Sequence, residues 1–235
     1  MPYVSIMMIL AALVISILFA ILVLSIIHPK KSDGEGVFKY ASDKDEYIEP
    51  QVFEDVITEE EQRYILEKAE PLFARSSVVG SDKPSEVRTS ETAWLHKDDP
   101  TIGALMKRIC EQFGVPVENA ESLQVVKYKP GTYYREHHDS CCDDNEACRN
   151  FAGSAGQRIR TILLYLNDDF EGGETHFPTL NKKLKAPPRG AVVFHPMSKT
   201  SPEACHPKAL HAGLPVSSGQ KYICNIWVRE KKWGA

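Results

Sequence analysis

The chain has 235 residues, with 28 basic and 32 acidic side chains and a formal net charge of -4. Its 43% hydrophobic and 26% charged residues are typical of globular proteins and exclude a disordered or low-complexity chain. The near-neutral charge balance lacks the basic footprint of nucleic-acid-binding proteins, so we expect no nucleic-acid partner.

The first predicted element is an apolar stretch near the N-terminus. Residues 4–27 contain no charged side chain, and three serines are their only polar residues. At about 1.5 Å per residue, a helix of this length crosses a hydrocarbon core of about 30 Å. The basic region that precedes a secretory signal sequence and the small-residue cleavage motif that follows one are both missing. We therefore predict a single uncleaved transmembrane helix over 4–27 that anchors the chain in a membrane.

Two observations on the membrane orientation conflict. Lys30 and Lys31 follow the apolar stretch, and the positive-inside tendency then favours a cytoplasmic C-terminal domain. The six cysteines of the chain are compatible with a compartment in which disulfides form. The residues alone therefore leave the orientation open.

The next stretch is predicted to be a linker. Residues 28–50 are polar, carry Gly, Asp and Lys, and show no sustained periodicity. We expect the folded domain to follow as 51–235.

Two helices are predicted at the start of this domain. Thr58 and Glu61 form a capping box ahead of apolar residues at helical spacing. Asp99, with Pro100 at the first helical position, begins a second helix that ends at Gly114.

From about Ser122 the sequence changes to short β-branched and aromatic runs separated by Gly and Pro. These runs are LQVVKY, TYYREHHD, RIRTILLYLN, ETHF, GAVVFHP and QKYICNIWV. Several short strands without helix-strand alternation indicate a β-sandwich or barrel.

Three residues in these runs have the spacing of metal ligands. His137 and Asp139 lie two apart in a predicted strand, so their side chains share a face. His211, ahead of the last strand, can complete the set of two histidines and one carboxylate that is typical of non-heme Fe(II) oxygenases. Since the chain has eight histidines and an isolated histidine is more often structural, this pattern alone is a weak signal.

Lys221 strengthens the signal. It lies ten residues after His211, in a predicted strand where Lys221, Ile223, Asn225 and Trp227 share one face. A lysine on the inner face of a barrel requires an anion, because burial of an unpaired ammonium is costly. The sequence predicts either a ligand carboxylate beside Lys221 or a side chain that extends to the barrel rim.

Four motifs in this order carry a resemblance to a known family: YKPGTYYREHHD, QRIRTILLYLND, GGETHFP and LHAGLPVSSGQKYICNIWV. The stretch 122–230 resembles the prolyl 4-hydroxylase branch of the 2-oxoglutarate- and Fe(II)-dependent dioxygenases. The resemblance implies a mainly β domain with supporting α-helices, built as a double-stranded β-helix of the jelly-roll or cupin-like type.

The resemblance also implies roles for individual residues. His137, Asp139 and His211 are the expected iron ligands, and Lys221 is expected to pair with the distal carboxylate of 2-oxoglutarate. Residues expected near the cosubstrate are Tyr128, Tyr165 and Thr161, and Thr161 and Tyr165 share strand parity, which turns both inward. Residues expected to bind the substrate are Arg158, Tyr134 and Trp227. For the aromatic residues, core packing is an alternative of nearly equal weight. Tyr134 is out of phase with His137 in a regular strand, so it needs a twist or bulge to face the iron.

The activity implied by the resemblance is hydroxylation of peptidyl proline, with 2-oxoglutarate and O2 consumed and succinate and CO2 released. Ascorbate is the expected reductant for oxidised iron, and the expected location is the endoplasmic reticulum membrane with a lumenal domain. The expected partner is a proline-containing peptide or an unfolded protein segment. Alternatives are a dioxygenase for another residue or for one oxygen-sensing target, and a silent peptide-binding module, although the four residues of the site are all present.

The stretch 140–156 after Asp139 contains three cysteines, and Cys205 precedes the third predicted ligand. A disulfide from this loop to Cys205 is the preferred interpretation, a small zinc site is a second, and free thiols are a third. The acidic residues of the loop can attract a basic peptide or form a solvated tip. The glycines of GGET are expected to shape a turn.

Overall fold

In a computed structural model of the chain, residues 39–76 and 86–234 are described. The predicted transmembrane helix over 4–27 lies outside these residues. Within the described ranges, no helix is both long and apolar enough to cross a bilayer.

Three α-helices are present in the described part of the chain: α1 Glu59–Ala69, α2 Pro100–Gln112 and α3 Glu146–Ala152. The predicted capping box of α1 is confirmed, since the Thr58 side chain accepts from Glu61 N and the Glu61 side chain accepts from Thr58 N. The predicted N-cap of α2 is also confirmed, because Asp99 accepts from two backbone N–H groups of the first turn. Short 3-10 helices lie at Glu70–Leu72, Val117–Asn119, Pro178–Leu180 and Pro207–Ala209.

The strands of the described residues form three antiparallel sheets. They are β1 Gln51–Phe53, β2 Ala74–Arg75, β3 Glu91–Leu95, β4 Leu123–Tyr128, β5 Tyr134–His137, β6 Arg158–Tyr165, β7 Phe170–Gly172, β8 Thr175–Phe177, β9 Lys182–Leu184, β10 Ala191–Phe194, β11 His211–Gly213, β12 Val216–Gly219 and β13 Lys221–Arg229. The major sheet has the order β1-β10-β6-β13-β4-β3-β2, the minor sheet has the order β5-β11-β8-β9, and β12 pairs with β7.

The major sheet separates two cores. On one face, Ile226 of β13 packs in a buried cluster with Ile65 of α1 and Met106 of α2. On the other face, Ile223 of the same strand packs in a second cluster with Phe177 of the minor sheet. This alternation follows from the two-residue period of a strand. A mainly β domain with supporting helices is thus confirmed, and the two facing sheets are the arrangement expected of a double-stranded β-helix.

The described part of the predicted linker, 39–50, packs against this domain. Ala41 N donates to Cys205 O at 2.8 Å, and Cys205 N donates to Lys39 O at 3.0 Å. Because these contacts join the segment to a buried part of the chain, the folded domain extends N-terminal of the predicted boundary at Gln51.

Candidate active site

The minor sheet brings the three predicted metal ligands together. His137 ends β5, Asp139 follows the strand, and His211 begins β11, where it pairs with His137. Asp139 Oδ1 lies 3.8 Å from His137 Nε2 and 3.9 Å from His211 Nε2. The candidate ligand atoms of the three residues all lie within 4.8 Å of one another. Three donor atoms therefore converge on one point.

Backbone carbonyls set the orientation of both imidazoles. His137 Nδ1 donates to Arg135 O at 2.8 Å, and His211 Nδ1 donates to Ala209 O at 3.0 Å. Since a carbonyl only accepts, the proton is on Nδ1 and the lone pair is on Nε2, which faces Asp139. Burial, with a further contribution from His211, holds the pKa of His137 well below its ordinary value. His137 is therefore neutral, as a metal ligand must be.

Asp139 is buried and is held by a hydroxyl. Burial alone would raise the pKa of Asp139, but the interactions with His211 and His137 outweigh it and lower the pKa below the ordinary value. Thr161 donates from Oγ1 to Asp139 Oδ2 at 2.6 Å, and its expected position beside the cosubstrate stays a prediction. The inward orientation of Thr161 is as expected, and its observed partner is the carboxylate.

This donor set fits Fe(II). Two neutral imidazole nitrogens and one ionised carboxylate oxygen are the facial set of non-heme Fe(II) oxygenases, which leaves further coordination positions open. The second nitrogen of each histidine and the second oxygen of Asp139 are already hydrogen-bonded, as is usual for metal ligands. His137, Asp139 and His211 would therefore hold the ion.

Lys221 lies in a small cavity of about 30 Å³ beside these ligands. Its side chain is 2% exposed, which excludes a position at the barrel rim. Nζ donates to Gly173 O at 2.6 Å, and no carboxylate of the described residues lies within 4.0 Å of it. Burial lowers the pKa of the Lys221 ammonium to about 7. Glu174 acts on Lys221 only through space, so a buried amine with no carboxylate in contact remains to bind the carboxylate of a small acid.

The two tyrosines expected near the cosubstrate surround Lys221. The rings of Tyr128 and Tyr165 lie 5.2 Å and 5.0 Å from Lys221 Nζ. Tyr128 lines the small cavity, whereas the Tyr165 hydroxyl is 2.8 Å from Thr175 Oγ1. Tyr128 therefore faces the cavity directly, whereas Tyr165 contacts Thr175, which lines it.

The GGET turn contributes more to the site than the sequence indicated. Thr175 lines the small cavity, and the carbonyl of Gly173 accepts from Lys221. Gly173 has a φ of +66°, and a Cβ at this position would lie 3.2 Å from Lys221 Cδ. A glycine thus lets the turn approach the lysine closely. Thr175 was not predicted as a site residue; the sequence feature that could have identified it is its position directly after the glycine turn, at the start of a strand.

A β-bulge lets Tyr134 face the site, as expected for a residue out of phase with His137. Between the pairs His211–His137 and Gly213–Tyr134, β11 advances by two residues and β5 by three. The extra residue turns Tyr134 onto His137, and their rings stack at 3.6 Å.

A large cavity of about 560 Å³ opens beside the candidate ligands. Its lining includes the three residues expected to bind substrate, namely Arg158, Tyr134 and Trp227. Arg88 also lines it, and Arg88 Cζ lies 4.8 Å from the centre of the Tyr134 ring. Arg88 was not predicted as a site residue, because it lies outside the motifs of the sequence. His137 and Asp139 face both cavities, so a ligand in the large cavity reaches the metal position.

A stack of rings and guanidinium groups forms one wall of the large cavity. Arg158 Cζ lies 3.6 Å from the Trp227 ring and 5.1 Å from the Phe151 ring. Arg229 Cζ lies 4.2 Å from the same Phe151 ring. The carboxylate of Glu121, which is buried, accepts from Arg158 Nε at 2.7 Å and from Arg229 Nε at 2.6 Å. One buried anion therefore holds Arg158, which lines the cavity, and Arg229, which lies behind the lining.

Two disulfides fix the loop 140–156. Cys142 is bonded to Cys205, as the preferred interpretation expects, and Cys141 is bonded to Cys148. The zinc interpretation is therefore wrong for these cysteines, because all four thiols are used in disulfides. The remaining cysteines of the described chain, Cys110 and Cys224, are buried and free.

Comparisons with known proteins agree with this geometry. Residues 123–229 match the model of the 2OG-Fe(II) oxygenase superfamily. A candidate prolyl 4-hydroxylase of Acanthamoeba polyphaga mimivirus is 45% identical over 197 residues, which cover 83% of this chain and 80% of that protein. Prolyl 4-hydroxylase 1 of Arabidopsis thaliana is 36% identical over 77% of this chain and 68% of its own length. The crystal structure of a viral collagen prolyl hydroxylase from Paramecium Bursaria Chlorella virus-1, in complex with 2OG, aligns with a TM-score of 0.58 at 29% identity, covering 77% of this chain and 95% of that one.

Proposed function

The chain belongs to the prolyl 4-hydroxylase family of 2-oxoglutarate- and Fe(II)-dependent oxygenases, and from this membership we propose that it hydroxylates C4 of proline in peptides or unfolded protein segments. The observation that carries the proposal is that His137, Asp139, His211 and Lys221 line one small cavity, which adjoins the large cavity. A peptide-binding module without catalytic activity would not need all three metal ligands and the lysine.

The first step is to bind the metal and the cosubstrate. The three ligands would hold Fe(II), and Lys221 would bind the distal carboxylate of 2-oxoglutarate. When bound, iron with 2-oxoglutarate and O2 supplies the oxidising chemistry, in which 2-oxoglutarate becomes succinate and CO2 and one oxygen atom is transferred to the substrate. The residues around the small cavity exclude water and fix the cosubstrate in one orientation.

The large cavity presents the proline. Tyr134 and Trp227 line both the large and the small cavity, so a proline ring in contact with them lies next to the metal position. Aromatic walls bind extended proline-rich segments well, because such segments are already ordered before binding. The 29% identical structural relative is named a collagen prolyl hydroxylase, which supports a substrate of this kind.

The proposal is tested with the full chain, Fe(II), 2-oxoglutarate and ascorbate, and with (Pro-Pro-Gly)n or other proline-rich peptides. We expect peptide-stimulated succinate release and the gain of one oxygen atom per hydroxylated proline by mass spectrometry. Asp139→Ala is the control without a metal site and should be inactive. Succinate release without peptide stimulation would leave a dioxygenase for another substrate, and iron-loaded protein that releases no succinate would favour the silent module.

We further propose that residues 4–27 anchor the enzyme in the endoplasmic reticulum membrane with a lumenal domain. Disulfides form and persist in oxidising compartments, so the bonds at Cys142–Cys205 and Cys141–Cys148 support the lumenal side against Lys30 and Lys31. Ascorbate as the reductant of oxidised iron is proposed on the family membership.

A further inference from the structure

Phe151 lies in the wall of the large cavity although it comes from the loop 140–156, far in sequence from the other aromatic residues of that wall. It is the sixth residue of α3 and is partly buried. We propose that Phe151 is a specificity-determining residue, which takes an apolar side chain next to the target proline. This inference rests on the proposed function, since it concerns the peptide of that reaction.

The ring of Phe151 is fixed before any peptide binds. Arg229 Nη1 donates to Phe151 O at 2.9 Å and to Gly156 O at 2.8 Å, which ties the end of α3 to the buried end of β13. At the start of the helix, the Asn145 side chain accepts from Cys148 N at 2.9 Å. A side chain that is ordered in advance loses little conformational entropy on binding.

The Cys141–Cys148 disulfide holds the helix against the site. The bond joins the loop to the middle of α3, and the side chain of Gln157 clamps Cys141 through its backbone: Gln157 Nε2 donates to Cys141 O at 2.6 Å, and Cys141 N donates to Gln157 Oε1 at 3.0 Å. Opening this disulfide would remove the covalent link between α3 and the segment after Asp139, which loosens the position of Phe151 while the metal ligands keep their own contacts.

The chemistry of the wall favours an apolar neighbour. Arg158 and Arg229 both contact the Phe151 ring, and the Glu121 carboxylate accepts hydrogen bonds from both guanidinium groups. Phe151 lines the cavity and contributes aromatic carbon to it, whereas the nearest charged group of the lining, Arg158, is a cation that repels a basic side chain. The acidic side chains of the loop, Asp143, Asp144 and Glu146, are exposed and are not part of the described lining of the cavity. An apolar residue is thus expected at this position rather than a basic one.

The test uses the full chain and peptides in which the residue on either side of the target proline is Leu, Ala, Lys or Glu. Hydroxylation is followed by mass spectrometry, and Co(II) and 2-oxoglutarate binding are titrated separately. For Phe151→Ala we expect KM for the Leu peptides to rise about tenfold, with kcat and both ligand affinities unchanged and the preference for Leu over Ala lost. Phe151→Leu should keep most of the preference.

Matched variants separate this role from a general loss of structure. Asn150→Ala changes an exposed residue of the same helix and should behave as the wild type. A Cys141→Ala/Cys148→Ala double variant should raise KM in the same way as Phe151→Ala. Unchanged KM and preference in Phe151→Ala would overturn the inference, and so would a preference for Lys peptides in the wild type. A wild-type chain that hydroxylates none of the peptides would overturn the proposed function itself.

Discussion

The two oxygens of Asp139 have different partners. Oδ1 faces the histidine nitrogens, and Oδ2 accepts the hydrogen bond from Thr161 at 2.6 Å. The hydroxyl therefore fixes the rotation of the carboxylate and leaves one oxygen for a metal ion.

Thr161→Val should weaken metal binding because it keeps the shape of the side chain and removes the hydrogen bond to Asp139. Loss of such a supporting contact lowers metal affinity by about ten- to a hundredfold. Titration with Co(II), followed by its visible absorption, measures the change without any turnover. Thr161→Ser retains the hydroxyl and serves as the control, and equal Co(II) affinity in the Val and wild-type chains would contradict the prediction.

Strand parity predicts that Thr161 points inward but cannot identify its partner. Asp139 lies beyond the end of β5, and the turn that places it beside Thr161 depends on contacts between distant segments. The contact of Thr175 with the Tyr165 hydroxyl was missed for a similar reason, because a local pattern does not show how β6 and β8 of the two sheets face each other. The inward position of Lys221 is one of the two alternatives that the strand pattern left open, and its pairing with 2-oxoglutarate stays a prediction.

Binding of 2-oxoglutarate should take up a proton above neutral pH. The pKa of Lys221 is lowered to about 7, so between pH 7 and its ordinary value of 10.5 the unfolded chain is protonated and the folded chain is neutral. The free energy of unfolding therefore rises with pH in this window as far as Lys221 is concerned. An anion requires the charged form, so the Kd of 2-oxoglutarate should rise by up to about tenfold per pH unit above pH 7.

Calorimetry of 2-oxoglutarate binding at pH 8, in two buffers with different ionisation enthalpies, measures this proton uptake. Lys221→Arg keeps the charge at every pH and should remove the dependence on buffer. Identical binding heats for the wild type in both buffers would show that Lys221 is already charged in the folded chain.

At the scale of the elements, the Cys142–Cys205 disulfide joins the segment that follows Asp139 to the segment that precedes His211. The two half-cystines are 63 residues apart in sequence, and both are buried. The bond therefore limits how far two of the candidate ligands can separate.

A Cys142→Ala/Cys205→Ala double variant should lose stability and metal affinity together. Removal of a native disulfide from a small domain lowers the free energy of unfolding by about 2 to 5 kcal/mol. Urea unfolding followed by circular dichroism measures the first effect, and the Co(II) titration measures the second. The Cys141→Ala/Cys148→Ala variant is the comparison, in which Co(II) affinity should stay at the wild-type value; equal Co(II) affinity in both double variants would contradict the prediction.

The helices α1 and α2 were predictable because their caps are local signals. Thr58 with Glu61, and Asp99 with Pro100, act within one turn of chain, and the structure shows the hydrogen bonds that these residues imply. The short helix α3 was not predicted. Its seven residues are too few for a periodic pattern, and its stability depends on the disulfide and on Arg229.

For the whole molecule, the proposed membrane anchor and the two disulfides together require that the catalytic domain lies on the lumenal side of the membrane. In sealed microsomes, a C-terminal tag on the full chain should resist added protease until detergent opens the membrane. Non-reducing electrophoresis of the same sample should show a mobility that changes on reduction, because the two disulfides keep the chain compact. Digestion of the tag in intact microsomes would contradict a lumenal domain.

The adjacent positions of Cys141 and Cys142 have a consequence for how the enzyme matures. The four bonded cysteines allow three pairings, and the pairing of Cys142 with Cys148 and Cys141 with Cys205 differs from the native one by a shift of a single residue. Such a shifted isomer can form early, when the loop is still unstructured, and it must be reshuffled before the iron site can close. Biosynthesis of this enzyme should therefore depend on a disulfide isomerase, and refolding in a glutathione redox buffer should yield more iron-binding protein than oxidation by air alone.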